Sequence, residues 1–188
     1  LYYHNNIASL VNLLKVCARY GVNDFIFSSS CSVYGNVSQL PVHEGTLLSP
    51  PESPYAATKQ MGEQILADAT RAVPALRVVA LRYFNPVGAH LSGHIGENPI
   101  NPPTSLVPII TQTAAGLRPQ MMVHGGDYNT RDGSCIRDYI HVSDIADAHV
   151  VALQYLANHK NAANYEVFNL GTGNGVSVLE AINAFETS

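Results

Sequence analysis

Apolar residues recur along the chain at two kinds of spacing, one typical of helices and one typical of buried strands. Between Ile7 and Ala18 they lie three or four positions apart, which predicts a helix that ends before Gly21. Short apolar runs between polar loops predict strands that are buried on both faces. The predicted helices are 7–18, 55–72, 105–116, 142–159 and 176–187, and the predicted strands are 24–28, 77–84, 121–124 and 165–170.

The order strand, helix, strand over residues 24–84 is that of a parallel crossover unit. Segments 36–52 and 85–104 are predicted to be long loops, and loops of this length in a compact chain are usually functional. Regular alternation ends near Gly88. We therefore expect an α/β fold, with residues 1–88 in a doubly wound parallel sheet and residues 89–188 in a smaller α/β domain. Strand 165–170 can return to the main sheet.

Composition narrows the class of protein. Apolar residues make up 46% of the 188 residues and charged residues 13%, which favours a buried parallel sheet. The formal net charge is −4 and there is no basic run, so we expect neither nucleic acid nor a membrane as a partner. No stretch approaches the roughly 20 apolar residues of a membrane helix, and there is no secretory signal. Cys17, Cys31 and Cys135 are odd in number and widely spaced, which predicts reduced thiols and a cytoplasmic location. The histidines lack metal-ligand spacing, so we expect no metal.

Tyr55 and Lys59, four residues apart, form the most informative pair of side chains. They lie on one face of a predicted helix whose start is marked by Ser53 as N-cap and Pro54 in the first turn. An ammonium beside a phenol favours the phenolate, which makes Tyr55 a candidate general base. The alternative is a surface tyrosine beside a solvated lysine, because this spacing is common by chance.

Polar residues end two of the predicted strands. Ser28, Ser29 and Ser30 close the first, and Asn85 follows Phe84 at the end of the next. Ligands bind at the carboxyl edge of a parallel sheet, so these residues are candidates for a binding site. The serines can instead satisfy loop backbone groups, and Asn85 can be a turn residue before proline.

Arg137 and Tyr139 lie in a short extended run farther along the chain. Arginine offers two parallel hydrogen bonds to phosphate, which suits a nucleotide diphosphate, although Arg137 can instead pair with a nearby aspartate. The segment Gly171–Gly175 lacks the spacing of a dinucleotide fingerprint and is predicted to be a structural turn. His149, on an apolar helix face, is predicted to pack in the core.

Five segments carry a resemblance to a known family. They are SSSCSVYG (28–35), SPYAATK (53–59), LRYFNPVGAH (81–90), SGHIGE (92–97) and RDYIHV (137–142). Together they resemble the UDP-glucose 4-epimerase family, which belongs to the NAD-dependent epimerases and dehydratases of the extended short-chain dehydrogenase/reductase superfamily. The resemblance covers nearly the whole chain and implies part of a Rossmann-like sheet together with part of a substrate domain.

The resemblance implies a role for each matching position. Tyr55 is the implied catalytic base, Lys59 its partner, and Ser30 the hydroxyl that joins sugar and tyrosine. The implied cofactor is NAD, and the residues implied to bind it are Asn5, Ser28, Ser29, Ser30, Tyr55, Lys59 and Phe84. The residues implied to bind a UDP-hexose are Ser30, Tyr55, Asn85, Ser105, Leu106, Met122, Val123, His124, Arg137 and Tyr139.

The implied reaction is reversible epimerisation at C4 of UDP-galactose and UDP-glucose, a step of galactose metabolism. It passes through a transient 4-keto sugar while NAD stays bound, and a homodimer is implied as well. The alternatives are another nucleotide-sugar epimerase or dehydratase of the same superfamily, and a non-catalytic NAD-binding segment. Dehydratases typically carry Asp-Glu after the strand that holds Ser30, and Cys31-Ser32 at that place argues against one.

Three features depart from the pattern of the family. Ser105 stands where Asn usually precedes Leu106, and His124 stands where an aromatic ring commonly lies near the uracil. The glycine-rich pyrophosphate loop is not found within the 188 residues. The chain also begins and ends inside helical patterns, so we expect an internal segment of a longer protein that does not turn over alone.

Overall fold

The computed structural model describes residues 1–187 of the chain and contains helices and short parallel or mixed sheets. The α-helices are α1 (Ser9–Tyr20), α2 (Pro54–Ala72), α3 (Leu106–Ala114), α4 (Val142–Ala157) and α5 (Val178–Thr187). The strands are β1 (Asp24–Ser30), β2 (Arg77–Tyr83), β3 (Asn85–Val87), β4 (Ile136–His141), β5 (Tyr165–Leu170) and β6 (Gly175–Ser177). A π-helical turn (Tyr3–Ala8) precedes α1, and a 3-10 turn (Cys31–Tyr34) follows β1. Among residues 1–187 there is no helix with the length and apolarity to cross a bilayer.

The first of two compact units comprises Leu1–Phe84 and Ile145–Leu170. Its sheet has the order β1-β2-β5, and each pair of neighbouring strands is parallel. Successive residues of the central strand β2 point to opposite faces. Val78 packs on one face with residues of α1 and α2, and Val79 packs on the other with Leu156 of α4. Both faces of β2 are therefore covered by helices, which explains its continuous apolar sequence.

Helix α2 begins where its sequence predicts and lies close against β1. The Ser53 hydroxyl accepts a hydrogen bond from the Ala56 N–H at 3.1 Å, and Pro54 occupies the first helical position. A side chain at Gly62 would bring its Cβ within 2.6 Å of the Phe27 ring. The absence of a side chain at Gly62 thus permits the close approach of α2 to β1.

The second unit comprises Asn85–Asp144 and the chain from Gly171 onward. Within it, β3 pairs with β4 in parallel and β6 pairs with β4 antiparallel. A capping box opens α5, because the Ser177 hydroxyl accepts from the Glu180 N–H and the Glu180 carboxylate accepts from the Ser177 N–H. This unit carries the long segment 88–105, which contains no helix or strand.

The α/β class and the parallel sheet are confirmed, as are the strands near residues 24, 77 and 165 and the helices in their predicted order. The strand predicted at 121–124 is wrong, because this short apolar run pairs with no other strand among residues 1–187. Residues 85–87 form a strand although Asn-Pro predicted a loop, because they pair with β4. Residues 175–177 form β6, so the last helix begins two residues later than predicted.

The division of the chain differs from the expected one at Gly88. The compact units divide between Phe84 and Asn85, and most of α4 together with β5 returns to the first unit. The physical reason is that β5 pairs with β2 along its length, while Leu156 is buried against β2.

Candidate active site

The carboxyl end of β1 and the first turns of α2 place Tyr55 and Lys59 together. The Lys59 ammonium donates a hydrogen bond to the Ser28 carbonyl oxygen at 2.7 Å. The same nitrogen lies 5.5 Å from the centre of the Tyr55 ring and 5.3 Å from that of Phe27. Burial lowers the pKa of Lys59. The ammonium is thus held between a strand end and a phenol, which separates it from an ordinary solvated lysine.

Tyr55 remains accessible, with 37% of its surface exposed. Its ring packs edge to face with the Tyr2 ring at a centroid distance of 6.1 Å. Among residues 1–187 no hydrogen bond involves the Tyr55 hydroxyl. The Tyr55 hydroxyl oxygen is therefore available to a ligand.

Ser30 is half-buried at the end of β1 and caps the 3-10 turn that follows. Its Oγ accepts from the Ser32 N–H at 3.2 Å and lies 3.0 Å from the Ser32 hydroxyl, which can donate to it. A hydroxyl oxygen has two lone pairs, and these contacts occupy both. The Ser30 hydrogen is left to donate elsewhere, which suits contact with a ligand oxygen.

Ser29 does not join Ser28 and Ser30, contrary to the expectation that all three contact the cofactor. Alternate side chains of a strand point to opposite faces, and Ser29 faces inward with only 1% of its surface exposed. Its hydroxyl donates to Glu63 Oε1 at 2.5 Å. This side chain belongs to the core.

Glu63, one helical turn beyond Lys59, pairs with Arg82 of β2 in the interior. Arg82 donates to both carboxylate oxygens, at 2.9 and 2.6 Å. Arg82 also donates to the Tyr34 hydroxyl at 3.0 Å, and that hydroxyl lies 2.7 Å from Asn169 Oδ1. Burial lowers the pKa of Arg82, but hydrogen bonds to Glu63 and Tyr34 more than offset this and raise it overall. The pair was not predicted from sequence.

Two further polar residues of the site were missed or misread from sequence. The Tyr83 hydroxyl lies 2.7 Å from Ser28 Oγ and 2.6 Å from His149 Nε2. His149, predicted to be a simple core residue, is only partly buried and has both ring nitrogens in hydrogen bonds. An Arg-Tyr-Phe strand end gives no sequence signal for a partner that lies 66 residues away.

The residues predicted to hold the cofactor lie partly in one cavity. Asn5, Ser28 and Lys59 line a cavity of about 310 Å³, together with Asn6 and Thr58. Asn5 lies in the π-helical turn Tyr3–Ala8, a conformation that is frequent at functional sites. Phe84 lies just after β2, where its N–H donates to the Leu170 carbonyl at 3.0 Å.

The second unit brings three of the predicted substrate residues together. Asn85 lies opposite Tyr139 in the register of β3 and β4, and its amide nitrogen donates to the Asp138 carbonyl at 2.8 Å. Arg137 and Tyr139 lie on one face of β4, two residues apart, and Arg137 is exposed. Burial raises the pKa of Tyr139, and the nearby Arg137 charge acts in the opposite direction. Arg137 forms no ion pair within the described part of the chain, contrary to the surface-pair alternative.

The remaining predicted substrate residues are not joined to that group by any hydrogen bond within residues 1–187. Ser105 directly precedes α3 and makes no side-chain cap, and Leu106 begins that helix. Residues 122–124 (Met122, Val123 and His124) lie in irregular chain, with Met122 and His124 exposed.

The glycine-rich segment after β5 is held by one carboxylate. Asp138 accepts hydrogen bonds from the N–H groups of Thr172 and Gly173, both at 2.9 Å, and from the Thr172 hydroxyl at 2.7 Å. Gly173 has φ of 75°, which favours glycine. The contacts are those of a structural turn. Across residues 1–187, no three acidic, histidine or cysteine side chains are arranged to hold a metal ion.

Comparison with known proteins assigns the chain to a family. Residues 1–171 match the NAD dependent epimerase/dehydratase family. The chain belongs to this family. It is 50% identical over 186 residues to UDP-glucose 4-epimerase 2 of Arabidopsis thaliana, and the match covers 99% of this chain and 52% of that protein.

Two solved structures of epimerases are similar to this family member. The UDP-glucose-4-epimerase of Stenotrophomonas maltophila, with bound NAD and formylated UDP-arabinopyranose, has a TM-score of 0.93 at 48% identity. The UDP-glucose 4-epimerase of Bifidobacterium longum, in complex with NAD+ and UDP, has a TM-score of 0.90 at 46% identity. Each match covers 99% of this chain and 54% of the other. The chain spans about half the length of the curated relatives it matches.

The NAD dependent epimerase/dehydratase match includes every residue that was predicted to bind cofactor or substrate. It ends at Gly171, at the start of the turn that Asp138 holds. The Tyr55, Lys59 and Ser30 site lies wholly within the first compact unit.

Proposed function

We propose that the protein containing this chain catalyses reversible epimerisation at C4 of UDP-galactose and UDP-glucose. The observation that carries the proposal is the Lys59 ammonium, held on the Ser28 carbonyl at 2.7 Å and 5.5 Å from the Tyr55 ring. The 50% identity to an Arabidopsis UDP-glucose 4-epimerase supports this choice of substrate.

Tyr55 is the proposed general base for the 4-hydroxyl of the sugar. The Tyr55 oxygen is accessible, and the Lys59 ammonium lies beside the ring, so this oxygen can take the hydroxyl proton and return it. The Ser30 hydroxyl has its lone pairs occupied by Ser32, so it acts as a hydrogen-bond donor to the sugar oxygen or to Tyr55. The proton therefore moves between the substrate and Tyr55 without leaving the site.

NAD is the proposed cofactor, and the side chains of the first unit suit part of it. The cavity beside Lys59 presents the amide of Asn5, the hydroxyl of Ser28 and an ammonium, which are hydrogen-bonding groups for a ribose and a carboxamide. Asn5, Ser28 and Lys59 would hold NAD, which would supply the hydride acceptor for sugar C4. Phe84 is proposed to lie beside the cofactor at the end of β2.

The nucleotide part of the substrate is proposed to bind the second unit. Arg137 is exposed and lacks an ion pair in the described part of the chain, so its guanidinium can bind a diphosphate through two parallel hydrogen bonds. Tyr139 lies on the same face of β4, and Asn85 lies opposite it on β3. Ser105, Leu106, Met122, Val123 and His124 are proposed to contact the nucleoside.

We further propose that the protein acts as a homodimer in the cytoplasm. Apolar side chains remain exposed on α1 and α2 of the first unit, among them Val16 on α1 and Met61 on α2. The three cysteines are odd in number and widely spaced along the sequence, which supports a reducing compartment. Light scattering after size exclusion tests the dimer, and a monomer at micromolar concentration would contradict it.

A chimera tests the proposed reaction. In it, this chain replaces the matching segment of the Arabidopsis UDP-glucose 4-epimerase 2. We expect the chimera to convert UDP-galactose into UDP-glucose and the substitution Tyr55→Phe to lower kcat by about 10²–10⁴-fold, the usual contribution of a general base. NAD should stay bound in that variant.

The matched control for this experiment is Tyr20→Phe, at an exposed position at the end of α1, which should leave kcat unchanged. Near-normal turnover of the Tyr55→Phe chimera would contradict the assignment. Formation of a 4-keto-6-deoxy product in place of UDP-glucose would favour a dehydratase.

A further inference from the structure

A continuous chain of hydrogen bonds runs behind the Tyr55 and Lys59 pair. Lys59 donates to the Ser28 carbonyl, and the Ser28 hydroxyl lies 2.7 Å from the Tyr83 hydroxyl. Tyr83 in turn lies 2.6 Å from His149 Nε2, and His149 Nδ1 lies 2.7 Å from the Ile145 carbonyl of its own helix. All of these residues belong to the first compact unit, so one path joins α2, β1, β2 and α4.

The hydrogen bond to the Ile145 carbonyl determines which ring nitrogen of His149 carries a hydrogen. A carbonyl oxygen only accepts, so Nδ1 must carry a hydrogen, and Nε2 is the atom that faces Tyr83. If Nε2 bears no hydrogen, Tyr83 donates to it and Ser28 donates to Tyr83. If Nε2 is protonated, both bonds reverse direction. In either state every polar atom keeps its partner, so the geometry persists.

Tyr83 is suited to hold position and unsuited to exchange a proton with the substrate. Burial raises the pKa of Tyr83, the hydrogen bond to Ser28 opposes this, and nearby Tyr55 raises it further. Two neighbouring phenols therefore differ in environment, with an exposed Tyr55 and a half-buried Tyr83 that stays neutral. Because their environments differ, the two phenols are suited to different roles, with Tyr55 as the proposed base and Tyr83 as a neutral hydrogen-bonding group.

We propose that Tyr83 and His149 are positioning residues that fix Ser28, and through its carbonyl oxygen the Lys59 ammonium, at the correct distance from Tyr55. Ser28 is itself exposed at the strand end, and β1 ends two residues later at Ser30. Without the hydroxyl contact to Tyr83, the strand end that receives Lys59 loses its side-chain anchor. The inference rests on the proposed function of Tyr55 and Lys59.

The test uses the chimera with UDP-galactose and NAD. We expect Tyr83→Phe and His149→Phe each to lower kcat by about 10–100-fold with KM within about twofold, since small misplacements of reacting groups have effects of this size. The double variant should be no slower than the slower single variant, because both substitutions interrupt the same series of hydrogen bonds. His149→Gln should recover most of the rate, because an amide can replace Nε2 as hydrogen-bond partner.

A second measurement does not depend on turnover. Amine acetylation followed by peptide mass spectrometry should show faster labelling of Lys59 in Tyr83→Phe, while Lys15 on α1 is labelled at an unchanged rate. In the absence of NAD, Ser28→Ala should show the same faster labelling of Lys59 as Tyr83→Phe, which covers the case in which a tyrosine variant does not fold. Tyr155→Phe, a phenol elsewhere on α4, is the matched control and should change neither kcat nor labelling.

The outcomes separate the two proposals. A parent chimera that binds NAD and does not interconvert UDP-galactose and UDP-glucose would overturn the proposed function. An active chimera whose Tyr83→Phe, His149→Phe and Ser28→Ala variants keep both kcat and the slow labelling of Lys59 would overturn the positioning role. Equal rates for His149→Gln and His149→Phe would also count against it.

Discussion

At the scale of single residues, the charge pair of Glu63 and Arg82 connects the helix of the candidate base to the sheet. Only 7% of the Glu63 side chain and 5% of the Arg82 side chain are exposed. The same carboxylate accepts the Ser29 hydroxyl, so one buried group ties α2 to both β1 and β2. Ser29 and Arg82 each lie within two residues of a predicted site residue, and Glu63 lies four residues after Lys59.

Removing one member of this pair should be costly. Glu63→Leu leaves the Arg82 charge buried without a carboxylate to pair with, so we expect the free energy of unfolding to fall by about 3–5 kcal/mol. Urea unfolding measures the change. Asp68→Asn on the same helix is the control, because Asp68 forms an exposed pair with Arg71 that contributes about 0–1 kcal/mol. An equal loss in both variants would contradict the importance of burial.

Some of these residues, but not all of their contacts, were predicted from the sequence. Tyr55 and Lys59 were found because a helical repeat of four puts them on one face, a local rule. Ser29 was predicted to bind the cofactor, whereas strand alternation turns its side chain inward, toward Glu63. The bonds of Arg82 to Glu63 and of Tyr83 to His149 could not be found, because they depend on how separate helices pack against β2.

At the scale of elements, α5 begins with a capping box that its sequence already contains. Ser177-Val-Leu-Glu180 has the Ser-x-x-Glu pattern, and both reciprocal hydrogen bonds form. Ser177→Ala should therefore lower the free energy of unfolding by about 1 kcal/mol, measured in urea. The control is Thr187→Ala at the other end of α5, where the side chain caps no N–H group. A change below about 0.3 kcal/mol for Ser177→Ala would contradict the role of the cap.

Glu180, in the capping box at the start of α5, makes the free energy of unfolding depend on pH. The hydrogen bond to Arg131, and after it the Ser177 N–H, lower the pKa of Glu180 to about 2 from its ordinary 4.5. The charged form is favoured in the folded state, so its stabilisation is complete above pH 4.5 and is lost as pH falls to about 2.

We accordingly expect the difference in unfolding free energy between the parent and Glu180→Gln to be constant above pH 4.5 and to shrink between pH 4.5 and 2. Urea titrations at a series of pH values measure it. Glu186→Gln, farther along α5, serves as the control. A difference that stays constant down to pH 2 would contradict the assignment of the shift to folding.

Sequence patterns located the elements of the first unit better than those of the second. Periodic apolar residues and a Ser-Pro start fixed α2, and the buried run fixed β2, because each signal is local. β3 and β6 have three residues each and exist only through pairing with β4. Periodicity cannot detect strands of three residues. Conversely, the apolar run at 121–124 predicted a strand that does not form, because it has no pairing partner among residues 1–187.

At the scale of the whole molecule, we expect the chain to supply only part of the hydrogen-bonding groups that a dinucleotide needs. The cavity offers groups beside Lys59, whereas the glycine-rich segment 171–175 is held by Asp138 as a structural turn. We therefore expect the 188-residue chain to bind NAD at least about tenfold more weakly than the chimera, a difference of about 1.4 kcal/mol. Isothermal titration calorimetry measures both. Equal micromolar affinity for the two proteins would contradict this expectation.

The first unit is assembled from two stretches of chain, and this sets the order in which a nascent chain can fold. β2 can pair with β1 early, but its other edge stays unpaired until β5 has been synthesised. Val79 and Leu81 likewise stay uncovered until α4 has been synthesised. At about 5–20 residues per second, the roughly 80 residues between β2 and β5 take about 4–16 s to synthesise. During that interval on the ribosome β2 presents an unpaired edge and an uncovered apolar face, which are the features that chaperones recognise and that aggregation exploits.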